Sequence, residues 1–194
     1  MKKLILTAAI TLTAFAGAFA QDATTSTTTS TDNGPKTATT KLSVTINPIQ
    51  TIKVNVTDVN LNYASITDYA NGVTEPRPDH LTVYSTGAFQ VKVSASDLAA
   101  TGTEEKIASS GITVTAANST SKPLNNLTSA GEVPLPNKAA AAATIFSSTQ
   151  GGVDRNVDVT YKGKGGNEYI NKYFKALGTK AVYETVVTYS IESM

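Results

Sequence analysis

No cysteine and no tryptophan occur in the 194-residue chain, and His80 is its single histidine. Without cysteine there can be no disulfide framework, thiol nucleophile or cysteine-ligated metal. Without tryptophan the strongest aromatic stacking group is missing. A serine–histidine–acid triad would have to use His80. Its neighbour Asp79 is adjacent in sequence, and consecutive strand side chains face opposite ways. No G-x-S-x-G is present. His80 therefore reads as a loop-edge residue ahead of a strand starting at Leu81. The stretch "YKGKGGNEY" lacks the G-x-x-x-x-G-K-[ST] pattern of a phosphate loop, so residues 163–166 read as a turn. Asp154 and Asp158 do not match the calcium-loop pattern. Glu104 and Glu105 are adjacent on a polar loop, where a glycosidase needs two carboxylates about 5–10 Å apart across a cleft. The residues indicate no enzyme, no cofactor and no metal.

Long apolar runs are also missing beyond the N-terminus. There, Lys2 and Lys3 precede a short apolar stretch over residues 4–15 and an Ala18-Phe19-Ala20 motif. This is the pattern of a secretory signal peptide over residues 1–20, with the mature chain starting at Gln21 and no integral membrane segment left after cleavage. Removing it lowers the basic count from 16 to 14 against 15 acids, a net charge of −1. That balance argues against a nucleic-acid partner or a polybasic membrane patch. The expected location is secreted: periplasm, cell surface or extracellular space.

Residues 21–40 are rich in Thr, Ser, Asp, Asn and Gly and contain no large apolar residue. Such a segment cannot offset its ordering entropy and reads as a flexible leader. From Lys41 the pattern changes. Leu42, Val44 and Ile46 alternate with Ser43 and Thr45, and Ile52, Val54 and Val56 follow in the same rhythm. The alternation returns at Val59, Leu61 and Tyr63, at Leu81 and Val83, and in "GAFQVKVSAS" at Phe89, Val91 and Val93. It recurs at Ile112, Val114 and Ala116, at Val157, Val159 and Tyr161, and in "VYETVVTYSIES" at Tyr183, Val187, Tyr189 and Ile191. Period-two alternation marks strands with one wet face, the habit of antiparallel sheets. Seven or eight such strands over residues 41–194 predict an all-β, immunoglobulin-like antiparallel β-sandwich. One short helix is expected near the C-terminal end, in "NEYINKYFKALG". Ile170, Phe174 and Leu177 fall there at helical spacing, between Asn167 as N-cap and Gly178. "PNKAAAAATIF" could be helix by its alanines or strand from Thr144.

A carbohydrate site uses aromatic faces with amide and carboxylate groups. Tyr63, Tyr69 and Tyr84, with Asp68 and Asn71, are the candidate glycan contacts.

The strands "LSVTINPI", "LNYASI", "GAFQVKV" and "VVTYSIES" resemble, in order and pattern, those of secreted bacterial pilin-like sandwiches: the chaperone–usher pilins, the spore-coat protein U group and their uncharacterised relatives. Pilins usually carry a disulfide and a tyrosine next to last; this chain has no cysteine, and Ser193 holds that place. The resemblance implies a non-enzymatic secreted or cell-surface structural protein, a pilus-like or matrix subunit whose partners are other surface proteins or copies of itself. Leu42, Val44 and Ile46 are the candidate anchors of a strand donated to a neighbour. Alternatively they begin the chain's own sandwich. The second functional reading is a ligand-binding module for glycan.

Overall fold

A computed structural model describes residues 37–101, 104–173 and 180–194. The expected signal peptide and most of the leader lie outside these residues, as do Phe174 and Leu177. The chain divides into two units, residues 1–44 and 45–194. Of the first, residues 37–44 are described, and they form no helix or strand.

The second unit is the expected all-β antiparallel sandwich. Its strands are β1 (Gln50–Val54), β2 (Val73–Ser85), β3 (Phe89–Ala95), β4 (Leu98–Ala99), β5 (Lys106–Ile107), β6 (Ile112–Asn118), β7 (Leu127–Ser129), β8 (Val133–Pro134), β9 (Ala143–Ser148), β10 (Gly152–Gly163) and β11 (Val187–Ser193). One sheet runs β1-β2-β10-β6-β8 and the other β11-β3-β9-β7, with β4 and β5 as a separate ribbon. Short connections carry the chain from one sheet to the other after β2 and again after β9.

The core lies where the two inner faces meet. On β3 the alternation is strict: Phe89, Val91, Val93 and Ala95 are fully buried, while Gln90, Lys92 and Ser94 are not. They join Leu81, Val83, Val114, Val157 and Val159 from the first sheet and Ile145 and Phe146 from β9. Phe89 and Phe146 meet edge to face, with ring centroids 6.2 Å apart, the geometry aromatic quadrupoles favour. In the alanine-rich stretch the strand reading holds from Ala143 onward.

β2 holds Pro76 and Pro78, which a strand paired on both sides could not accommodate. β1 pairs only with residues 81–85, so the first half of β2 is an edge and the prolines are tolerated. Between these halves the ladder to β10 slips: Leu81 faces Val157 and Arg77 faces Val159. Asp79 takes a left-handed backbone, φ +50, inside this bulge. The Asp158 carboxylate accepts the Asp79 amide at 2.8 Å, satisfying the donor that the bulge removes from the ladder. Beyond the bulge, His80 and Leu81 are both buried although adjacent. His80 is thus a mid-strand core residue and not a loop-edge one.

Two other expectations are corrected. Val59, Leu61 and Tyr63 are partly buried, but residues 56–64 join no ladder. The expected C-terminal helix is absent from its described part. Residues 166–171 are turns, with Asn167 at φ +61 and Asn171 at φ +70, values incompatible with a right-handed helix. Among the described residues the α-helix is α1 (Ile66–Asn71), early in the chain. Ser65 caps it: its Oγ accepts the Asp68 amide at 3.2 Å, and the Asp68 carboxylate accepts the Ser65 amide at 2.7 Å. Gly72 ends it at φ +83, where a Cβ would overlap the Gly163 carbonyl oxygen.

Candidate functional site

Three places can carry chemistry or contacts. The first is the segment before β1. Leu42, Val44 and Ile46 are 87%, 79% and 81% exposed and belong to neither sheet. The expected strand over 42–46 is therefore not formed within the chain's own sandwich. Three large apolar side chains left in water at alternate positions forgo about 1.5–3 kcal/mol each. Among the sheet ends, β11 is the longest edge strand, seven residues paired with β3 on one side only. Its Val187, Tyr189 and Ile191 are partly buried against the core. β1, the matching edge of the other sheet, approaches it.

The second place is the cross-sheet polar contact behind β11. His80 is 1% exposed. Its Nε2 lies 3.0 Å from the Tyr161 hydroxyl, which in turn bonds the Tyr189 hydroxyl on β11. His80 Nδ1 and Arg77 Nε are buried without a partner. Burial, helped by the positive charge of Arg77, pushes the imidazole below its ordinary pKa. Burial pushes both tyrosine hydroxyls up, so they stay protonated. Among the described residues His80 bonds the Tyr161 hydroxyl and no serine, so the serine–histidine pair of a triad is not formed there.

A pH dependence follows. The folded state holds His80 neutral, whereas the unfolded chain protonates it near pH ~6.5. Below that pH the unfolded state binds more protons. Stability is therefore fully present above pH ~6.5 and falls as the pH drops toward the folded pKa, by at most ~1.4 kcal/mol per pH unit. Asp68, Asp79 and Asp97 are held low by hydrogen bonds from Ser65, from Ser119 and Ser121, and from Ser109. The stability they contribute is lost only as the pH falls below their unfolded value of ~3.9. Urea midpoints between pH 7 and pH 5 thus isolate His80, and His80→Gln should flatten the slope. A wild-type midpoint that does not move in this range would contradict the assignment.

The third place gathers tyrosines. Tyr63 lies 5.4 Å from Tyr69 and 5.0 Å from Tyr169, the latter edge to face. The Tyr63 hydroxyl donates to the Lys164 carbonyl at 2.8 Å and the Tyr169 hydroxyl to the Gly111 carbonyl at 3.0 Å. The turn after β10 is tied to α1 by the Gly166 and Asn167 amides, which donate to the Ala70 and Tyr69 carbonyls. Of the candidate glycan contacts, the structure brings Tyr63 and Tyr69 together beside α1, which contains Asp68 and Asn71. The Asp68 carboxylate is occupied by the helix cap. Tyr84 is elsewhere: eleven residues separate it from Val73 at the α1 end of β2, roughly 36 Å at ~3.3 Å per residue. The sequence reading missed Tyr169 and Tyr173, which it placed in a helix. The signal available was the density of Tyr and Asn in "NEYINKY".

The remaining acids are accounted for locally. Glu105 accepts from Lys172 at 2.7 Å, and Asp154 is exposed at φ +48. Among the described residues no three His, Asp or Glu side chains cluster as metal ligands, and no helix is long and apolar enough to cross a membrane.

No protein-family model matches the chain, and no curated protein sequence is significantly similar to it.

Proposed function

We propose that this is a non-enzymatic, secreted or surface-exposed structural subunit that self-associates by strand addition. In this reading, residues 41–46 of one copy lie along β11 of the next. The observation that carries it is the exposure of Leu42, Val44 and Ile46, an alternating apolar segment that joins no ladder. The edge it would join pairs with β3 on one side only and is seven residues long. Backbone bonds to that edge would supply affinity, and the alternate side chains would supply register. In this reading the segment is donated in trans, because its apolar side chains are exposed.

The test uses a variant lacking residues 21–47, which retains every strand of the sandwich. The peptide KLSVTIN should bind it saturably and slow hydrogen exchange of the β11 amides. A scrambled peptide should do neither. If KLSVTIN leaves β11 exchange unchanged, the proposal fails.

A further inference from the structure

The turn that replaced the expected C-terminal helix presents a surface that the assembly reading does not use. Tyr69, Asn167, Tyr169, Ile170, Asn171 and Tyr173 line an open cleft of about 270 Å³, with Ile66, 90% exposed, at its rim. Across the Tyr169 ring lies a second cleft of about 210 Å³, lined by Lys106, Lys164 and Lys172 together with Glu168 and the backbone of Gly111. Both are smaller than the ~300–1,000 Å³ pockets that enclose drug-sized molecules. Their scale suits one or two small polar rings resting on the surface.

From this pairing we propose a binding site for an acidic glycan. Its sugar ring lies in the tyrosine-lined cleft and its carboxylate faces the lysines beyond Tyr169. Aromatic side chains offer apolar faces for the C–H side of a sugar ring, with polar tips that stay wet. The side-chain amides of Asn167 and Asn171 make no hydrogen bond among the described residues, so their donors and acceptors are open to sugar hydroxyls. Lys172 is committed to Glu105. Lys164 is exposed and forms no ion pair among the described residues. Counting Glu168 and Glu105 against the three lysines leaves a single surplus positive charge. That surplus fits one carboxylate per one or two sugars better than a densely sulfated chain or a phosphate cluster.

The platform is also built before any ligand arrives. Tyr169 is held by Tyr63 and Gly111, and the 166–167 amides pin the turn to α1. A preformed site loses less on binding than a loop that must order.

The experiment titrates the mature protein with an oligogalacturonate and, in parallel, with a neutral galacto-oligosaccharide, by calorimetry and by NMR of the tyrosine rings. The acidic oligomer should bind more tightly and move the Tyr69 and Tyr169 resonances, and its affinity should fall with added salt. Tyr173→Ala should weaken it about tenfold. Lys164→Gln should weaken it by a similar factor, roughly that of one lost charge-assisted hydrogen bond, while leaving the neutral sugar unaffected. Unchanged thermal unfolding of Lys164→Gln, whose backbone carbonyl still serves Tyr63, separates lost binding from lost folding. Equal affinity for both sugars, unmoved by Lys164→Gln, would overturn the acidic assignment. Absence of binding by either sugar would overturn the site.

Discussion

Phe89→Ala should cost about 3–5 kcal/mol of stability. Phe89 is fully buried at the start of β3, between the two sheets, and its ring sits edge to face on Phe146. Removing it takes apolar area out of the core and leaves a cavity walled by strands of both sheets. Each strand is fixed by its own ladder, so the walls cannot close in to fill the space. A domain of ordinary stability has only ~5–15 kcal/mol to lose, so the variant should be largely unfolded or close to it at physiological temperature. Denaturant unfolding measures the effect directly. A midpoint shift equivalent to less than ~1 kcal/mol would show that β3 is peripheral, against the described register.

The second large effect concerns association and should leave stability untouched. Deleting residues 41–47 removes three side chains that are already in water, so the unfolding midpoint should stay within ~0.5 kcal/mol of the parent. Multimers should nonetheless disappear. Burying Leu42, Val44 and Ile46 on a neighbour would contribute ~1.5–3 kcal/mol each, about 5–9 kcal/mol together. Edge-strand hydrogen bonds add ~0.5–1.5 kcal/mol apiece. Against this stands an association cost of ~4–15 kcal/mol. Val44→Asp, which would bury an unpaired carboxylate at the middle anchor, should abolish association as completely as the deletion.

What the sequence made legible was whatever strict alternation controls. "GAFQVKV" folds as it reads because both neighbours of β3 are long strands and its buried side is fully covered. Where one local event breaks the period, the reading failed. At Asp79 a single left-handed residue turns His80 inward beside Leu81, and no propensity of Asp or His announces that. Asn167 and Asn171 looked like parts of a helix, but both take the left-handed conformation that asparagine tolerates, and the segment became a turned platform. The true helix carried a readable signal, Ser65 three residues before Asp68, in a stretch whose alternation through Val59, Leu61 and Tyr63 suggested strand. Of the candidate sugar contacts, Tyr63 and Tyr69 were close in sequence and in space. Tyr169 joins them across roughly a hundred residues, a contact that only the pairing of β10 with β2 creates. The alternation at Leu42, Val44 and Ile46 was legible, but it predicted a strand, and the structure forms none there. That difference depends on how the sheets close without them.

Sedimentation velocity of the mature protein, run from low micromolar to near-millimolar concentration, tests strand-mediated self-association most directly. The account predicts a weight-average sedimentation coefficient that climbs with concentration for the parent chain and stays at the monomer value for Val44→Asp. A single monomeric boundary for the parent at every concentration would contradict it.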